Sequence, residues 1–430
     1  MKSKIYLLIL CVFLTVVAKA QESQEQPIDT LTRYVAGIGS DLSVLKRLKI
    51  SGYIQPQWQH IDSAGAPSYA GGDFVASDGK SPVSSRFMMR RGRFKFTYDY
   101  ENVRFLMNID VTEKGVAMRE TYVKVTDPWV KMFSLSVGCL QVPFGYEVTY
   151  SSSERETPER ARYNQILFPT ERDLGIFGTI EFPSRSPLYG FKIDVSVING
   201  SASVSPEFDN NKDFTGRLQY SRTSKNEKTT YALGTSLYNG GYRTGSVKDY
   251  EFKTLPNGEE GFDFAEDTSN YNRVSKRNYM GIDAQVSIST KAGITTLRGE
   301  YITGEQPGSS SASKSPSAMP TSSVYHRDFN GAYFYFIQGI GQSKFQAVVK
   351  YDWYDPNTKI SGKEIGKSGT NTNTGDIRFD TYGFGLVYHM NRNVKLMTYY
   401  DLVKNEETLI SAYSTDIPDN VITVRLQCKF

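Results

Sequence analysis

The chain has 430 residues, with 50 Lys and Arg against 46 Asp and Glu, a formal charge of +4. Apolar residues make up 39 % and only residues 5–17 form a continuous apolar run, which excludes a bundle of membrane-spanning helices. The small net charge argues against nucleic acid as a partner, 22 % charged residues fall short of a disordered polyampholyte, and 29 Tyr, 24 Phe and 36 Gly favour strands.

The N-terminus reads as an export signal. Lys2 and Lys4 precede the apolar run, and Ala18-Lys19-Ala20 fits a small-residue cleavage site, so residues 1–20 form a signal peptide and the mature chain begins at Gln21. The run is too short for a membrane anchor. Cleavage removes three lysines and no acid, which takes the charge from +4 to +1. Residues 21–46 follow, where Leu31, Val35, Ile38, Leu42 and Leu45 recur at helical spacing. This predicts a short periplasmic helical extension, a plug or an oligomer contact.

Residues 47–430 carry a different period. Gly92, Phe94, Phe96, Tyr98 and Tyr100 alternate with Arg91, Arg93, Lys95, Thr97 and Asp99. Val103, Phe105, Met107, Ile109 and Val111 alternate with Arg104, Leu106, Asn108, Asp110 and Thr112. The same holds near Phe191, near Phe345 and in the last segment, where Ile422, Val424, Leu426, Cys428 and Phe430 oppose Thr423, Arg425, Gln427 and Lys429. Period 2 makes each a strand with one apolar and one polar, often charged, face. About sixteen such segments are expected, beginning near residues 48, 90, 103, 119, 133, 174, 191, 214, 230, 279, 295, 331, 345, 381, 394 and 421.

The connections alternate in length. Short ones fall at 101–102, 127–130, 183–189, 223–228, 291–294, 341–343 and 391–393. Long ones fall near 60–85, 144–172, 200–213, 240–278, 304–330, 356–380 and 404–420, with 113–118 a short exception. Short turns at one end and long loops at the other predict an all-β fold, a closed antiparallel transmembrane β-barrel of about 16 strands. Its apolar face meets outer-membrane lipid, its polar face lines water, and closure leaves no unpaired edge. Tyr98, Tyr100, Phe182, Tyr220, Phe345, Tyr388 and Phe430 share the apolar parity beside short turns, where an interfacial girdle belongs.

Enzyme signatures are missing. Gly79-Lys80-Ser81 and Gly366-Lys367-Ser368 have Phe74 and Ser361 where a P-loop needs its earlier glycine. No H-E-x-x-H or G-x-S-x-G occurs. His60, His326 and His389 are isolated in sequence, no cofactor is implied, and no metal site is expected. Asp352, Asp355 and Asn357 fit a solvated turn better than a Ca²⁺ site, which needs six or more oxygens. Cys139 and Cys428 carry the apolar parity on strands that are not neighbours, so both should be free and face lipid.

Several segments, in order, resemble the phosphate-selective porin O and P family of Gram-negative outer membranes: Gly138-Cys139-Leu140-Gln141-Val142-Pro143-Phe144-Gly145, Glu171-Arg172-Asp173-Leu174-Gly175, Val197-Ile198-Asn199-Gly200, Asp213-Phe214-Thr215-Gly216-Arg217-Leu218 and Lys350-Tyr351-Asp352-Trp353-Tyr354-Asp355-Pro356-Asn357. The resemblance implies a homotrimer of sixteen-stranded barrels in the outer membrane. It also implies a third long loop folded inward and anion passage along lumenal Arg and Lys. The constriction-loop candidate, residues 151–172, carries Arg155, Arg160, Arg162 and Arg172 but also Glu154, Glu156, Glu159 and Glu171, so it is neutral.

These observations predict a passive diffusion channel for small hydrophilic solutes, with an anion preference for solutes such as phosphate. The pathway residues are Arg91, Arg93, Lys95, Arg104 and Lys350 on lumenal parity, with Arg155, Arg160, Arg162 and Arg172 on the loop. Asp99, Asp110, Glu120 and Asp352 oppose them, so a balanced, mutually paired lumen and a general porin are the alternative. A surface adhesin would instead work through the loops at 240–278 and 304–330.

Overall fold

The computed structural model describes residues 46–76, 78–203 and 205–430. The expected export signal (1–20) and helical extension (21–46, Lys46 apart) lie outside the described residues.

Among the described residues, alternating side chains and tight turns build eighteen strands. They are β1 (Leu48–Ile61), β2 (Ser85–Tyr100), β3 (Val103–Thr112), β4 (Gly115–Thr126), β5 (Phe133–Gln141), β6 (Arg172–Glu181), β7 (Phe191–Ile198), β8 (Asp213–Thr223), β9 (Thr229–Arg243), β10 (Lys248–Thr254), β11 (Glu260–Glu266), β12 (Val274–Thr290), β13 (Gly293–Gly308), β14 (Val324–Gly339), β15 (Phe345–Asp355), β16 (Phe379–His389), β17 (Val394–Asn405) and β18 (Val421–Lys429). Sixteen form the wall. β9 pairs directly with β12, from Arg243 opposite Val274 to Thr229 opposite Ile288. The β10–β11 hairpin therefore stands outside the wall, inside the long loop expected at 240–278. β1 closes on β18, with Tyr53 opposite Lys429 and Ile61 opposite Val421. A closed antiparallel wall satisfies every ladder within itself, as a bilayer demands.

The expected parity sets the two faces. Phe334, Phe336, Val349, Leu297 and Ile282 are exposed on the outside, while Tyr333, Tyr335, Lys350 and Arg298 on the same strands are buried inside. Girdle rings meet across strands at the short-turn end, Phe345 with Tyr388 at 4.8 Å and Phe191 with Tyr220 at 4.7 Å. Phe430 exchanges two backbone hydrogen bonds of 3.0 Å with Gly52. A Cβ at residue 52 would strike the Phe430 ring, so glycine there admits the terminal ring to the seam. At the turn after β4, one Asp127 carboxylate accepts from the N–H groups of Val130, Lys131, Met132 and Phe133.

Three expectations need correction. Cys139 and Cys428 are both free, but Cys139 is wholly buried rather than lipid-facing, and its thiol donates to the Arg119 carbonyl at 3.1 Å. Gly138, at φ +133°, breaks the alternation just before it, and a Cβ there would strike the Thr121 carbonyl. The turn through Asn357 is not solvated: Asn357 is fully buried and its side-chain amide donates to Asp376 at 3.0 Å. His326 is not isolated in space, since its Nε2 lies 2.8 Å from Asp249 Oδ1.

Candidate functional site

The loop between β5 and β6 folds into the barrel, as the resemblance implied. Where it leaves β5, Gly145 donates to Ser236 Oγ, and Tyr146 and Glu147 N–H donate to Glu300 on β13. A Cβ at residue 145 would run into that carboxylate, and φ is +57°, so glycine is required twice over. Its one helical turn, α1 (Arg162–Leu167), is buried. Phe144 and Phe168 pack on the lumenal rings of Tyr238 and Tyr279. Tyr335 donates to Glu147 at 2.8 Å, and Asp352 accepts from the Arg162 N–H at 2.9 Å. One side of the lumen, from β9 to β15, thus presents buried tyrosines that hold the loop by packing and hydroxyl groups.

The loop tip reaches the opposite half. Tyr53 and Ser152 hydroxyls meet at 2.6 Å, Gln55 donates to the Ser152 carbonyl, and Lys395 donates to the Arg155 carbonyl at 2.9 Å. Glu159 is the hub. It accepts from Arg90 at 2.8 Å, Arg91 at 2.9 Å and Arg425 at 2.9 Å, so three guanidiniums from β2 and β18 converge on one loop carboxylate. Burial raises the Glu159 pKa, but Arg90, Arg91 and Arg425 outweigh it and hold the carboxylate well below its usual range. The same contest at Glu171, burial against Arg160 and Arg172, leaves it at about 2.

Almost every expected pathway residue has a partner. Arg91 is held by Glu159 and Gln55. Arg93 lies 3.5 Å from Asp110 and donates to Ser152. Arg104 pairs with Asp99 at 2.6 Å. Arg160 meets Glu171 and the carbonyls of Glu147, Val148 and Tyr150. Arg172 is shared by Glu120 and Glu171, and Lys350 pairs with Asp352 at 2.8 Å. Arg162 is held by rings, 4.6 Å over Tyr69 and 3.9 Å over Phe379. Arg155 is buried with only Nη2 engaged, donating to the Pro158 carbonyl at 3.3 Å. Lys95 alone of the nine is exposed with no hydrogen-bond or ion-pair partner among the described residues. It opens on a cavity of about 360 Å³ at the short-turn end, whose charged lining is Arg93, Lys95, Arg172 and Lys429 against Glu120 and Glu154.

Three features of the site are not legible in the sequence. Arg90 carries the outward parity, yet it shares Glu159 with its neighbour Arg91, so alternation is broken there. Arg425 was visible on lumenal parity but had no known partner. The first long loop also turns inward: Phe74 is buried with Ile61, Ala70 and Val421, and Arg86 lies 4.0 Å over its ring. Only the interleaving of Tyr333 and Tyr335 with Phe334 and Phe336 signalled a hydroxyl-lined inner face.

No family model matches the chain, and no curated protein matches it by sequence. Solved structures do match. The outer membrane channel DcaP of Acinetobacter baumannii superposes with a TM-score of 0.51 at 12 % identity, covering 89 % of this chain and 97 % of that one. OmpF of Salmonella typhi, in complex with daunomycin, gives 0.51 at 10 % identity over the same shares. The chain has the porin fold. A sixteen-stranded wall, an apolar exterior and an inward loop place this porin-like barrel among outer-membrane architectures rather than soluble ones.

Proposed function

We propose that this porin-like barrel is a passive diffusion channel of the Gram-negative outer membrane, admitting small hydrophilic solutes with a modest preference for anions, phosphate among them. One observation carries the preference: the short-turn vestibule is lined by four basic and two acidic side chains, and Lys95 there is unpaired. An unpaired cation facing the solute pathway attracts passing anions. Assembly as a homotrimer, with the vestibules facing the periplasm, belongs to the same proposal. The pairing of Arg91, Arg93, Arg160 and Arg172 supports a general porin as the second reading, since paired guanidiniums offer a passing anion little. Reversal potential in planar bilayers under a KCl gradient separates the two. A potential on the anion side, with chloride current reduced as phosphate is titrated in, is expected; a potential near zero and no block would establish the general porin.

A further inference from the structure

The long-loop end holds a cluster unrelated to the lumen. Asp249 and Glu251, two apart on β10, project to one side of that strand. His326 stands at the start of β14, which β10 meets in a parallel register only two residue pairs long, Asp249 with Val324 and Tyr250 with Tyr325. The imidazole Nε2 lies 2.8 Å from Asp249 Oδ1 and 3.8 Å from Glu251 Oε1. One ligand atom from each of the three residues falls within 4.8 Å of the others. On the far side of the ring, Glu305 Oε1 of β13 lies 3.8 Å from Nδ1. Arg273 holds the other Asp249 oxygen at 2.8 Å.

A protonated imidazole would attract all three carboxylates, but only Asp249 is close enough for a hydrogen bond, while Glu251 and Glu305 stand off at 3.8 Å. Ligands at about 2.0–2.2 Å in a tetrahedral zinc site stand roughly 3.3 Å apart, and 2.8 and 3.8 Å bracket that spacing. The outer partners also fit. A metal-bound histidine orients through a carboxylate at its other nitrogen, which Glu305 would reach on closing from 3.8 Å, and a ligating carboxylate through a donor on its free oxygen, where Arg273 sits at 2.8 Å. We propose that Asp249, Glu251 and His326 form a binding site for a divalent transition-metal ion, with Glu305 and Arg273 as positioning residues. The ion clips the β10–β11 hairpin to the barrel wall, where two backbone pairs otherwise join β10 to β14.

The test uses the full folded barrel in detergent, stripped with chelator and titrated with Zn²⁺ alone against a chromophoric competitor. One Zn²⁺ per chain is expected, with affinity at least tenfold weaker in His326→Gln and in Glu251→Gln, and about tenfold weaker in Glu305→Gln. The Glu251 change is at an exposed position, so heat-modifiable mobility will show that barrel intact even if the His326 variant fails to fold. Zn²⁺ should also slow tryptic cleavage after the exposed Lys248 and Lys253 of β10 several-fold in the unsubstituted chain, and not in Glu251→Gln. The proposal is overturned if the chain binds no Zn²⁺, if Glu251→Gln binds it unchanged, or if replacing both His60 and His389 removes the binding.

Discussion

Two regions of one lumen use the same residue types in opposite ways. At the constriction, Arg90, Arg91 and Arg425 are locked on Glu159, and Arg160 and Arg172 on Glu171; their charge holds a loop across the barrel. In the short-turn vestibule, Lys95 stands in open space with no partner, and Lys429 meets a half-exposed Glu154. Depth decides the difference. A guanidinium removed from water needs a carboxylate, whereas an ammonium beside open solvent keeps its hydration and remains available to a passing solute. Constriction charges are therefore architecture, and Lys95 is the vestibule charge free to act on ions.

The strongest way to break this contrast is to remove the hub. Glu159→Ala leaves three buried guanidiniums on one missing partner, and losing one member of a buried ion pair costs about 3–5 kcal/mol. The urea midpoint of the heat-modifiable band should fall, and single-channel conductance should rise as the loop tip lets go. Conductance and midpoint both unchanged would mean that the tyrosine side holds the loop by itself. Replacing Arg91, Arg93 and Arg160 together with Ala should lower stability by a comparable amount while also moving the reversal potential toward cations.

Acid gives a graded version of the same experiment. Glu171 titrates at about 2 when folded, below the usual carboxylate range, so its contribution is fully present above its ordinary pKa and drains away as pH falls toward 2. The part of the loop's hold that Glu171 supplies should persist from neutral pH to about 5 and weaken progressively below it. A transition centred near pH 6 would assign the loop's hold to another group.

Smaller effects sharpen the vestibule side. Lys95→Glu should shift the reversal potential toward cations while leaving the unfolding free energy in urea within about 0.5 kcal/mol, because no partner is lost. A fall in stability as large as that of Glu159→Ala would erase the contrast. Smallest of all, Arg104→Ala breaks an ion pair that is half open to solvent, and exposed pairs are worth about 0–1 kcal/mol, so neither stability nor selectivity should move measurably.

The sequence by itself determined the barrel. Period 2 is a local property, so Phe334 and Tyr335 sort to opposite faces whatever else the chain does, and alternating loop lengths set which end carries the turns. It also determined most of the basic lumenal positions, Arg90 excepted. Which of those are free was a tertiary decision. Arg91 and Lys95 share strand and parity, yet only a loop residue 68 positions further along supplies the carboxylate that consumes Arg91 and stops short of Lys95. The burial of Cys139 turned on one left-handed glycine, and the company of His326 on a hairpin folded back from outside the wall. These pairings join residues far apart in the chain, and no periodicity records them. They follow from the space the closed wall leaves inside it and from the cost of leaving a buried charge alone.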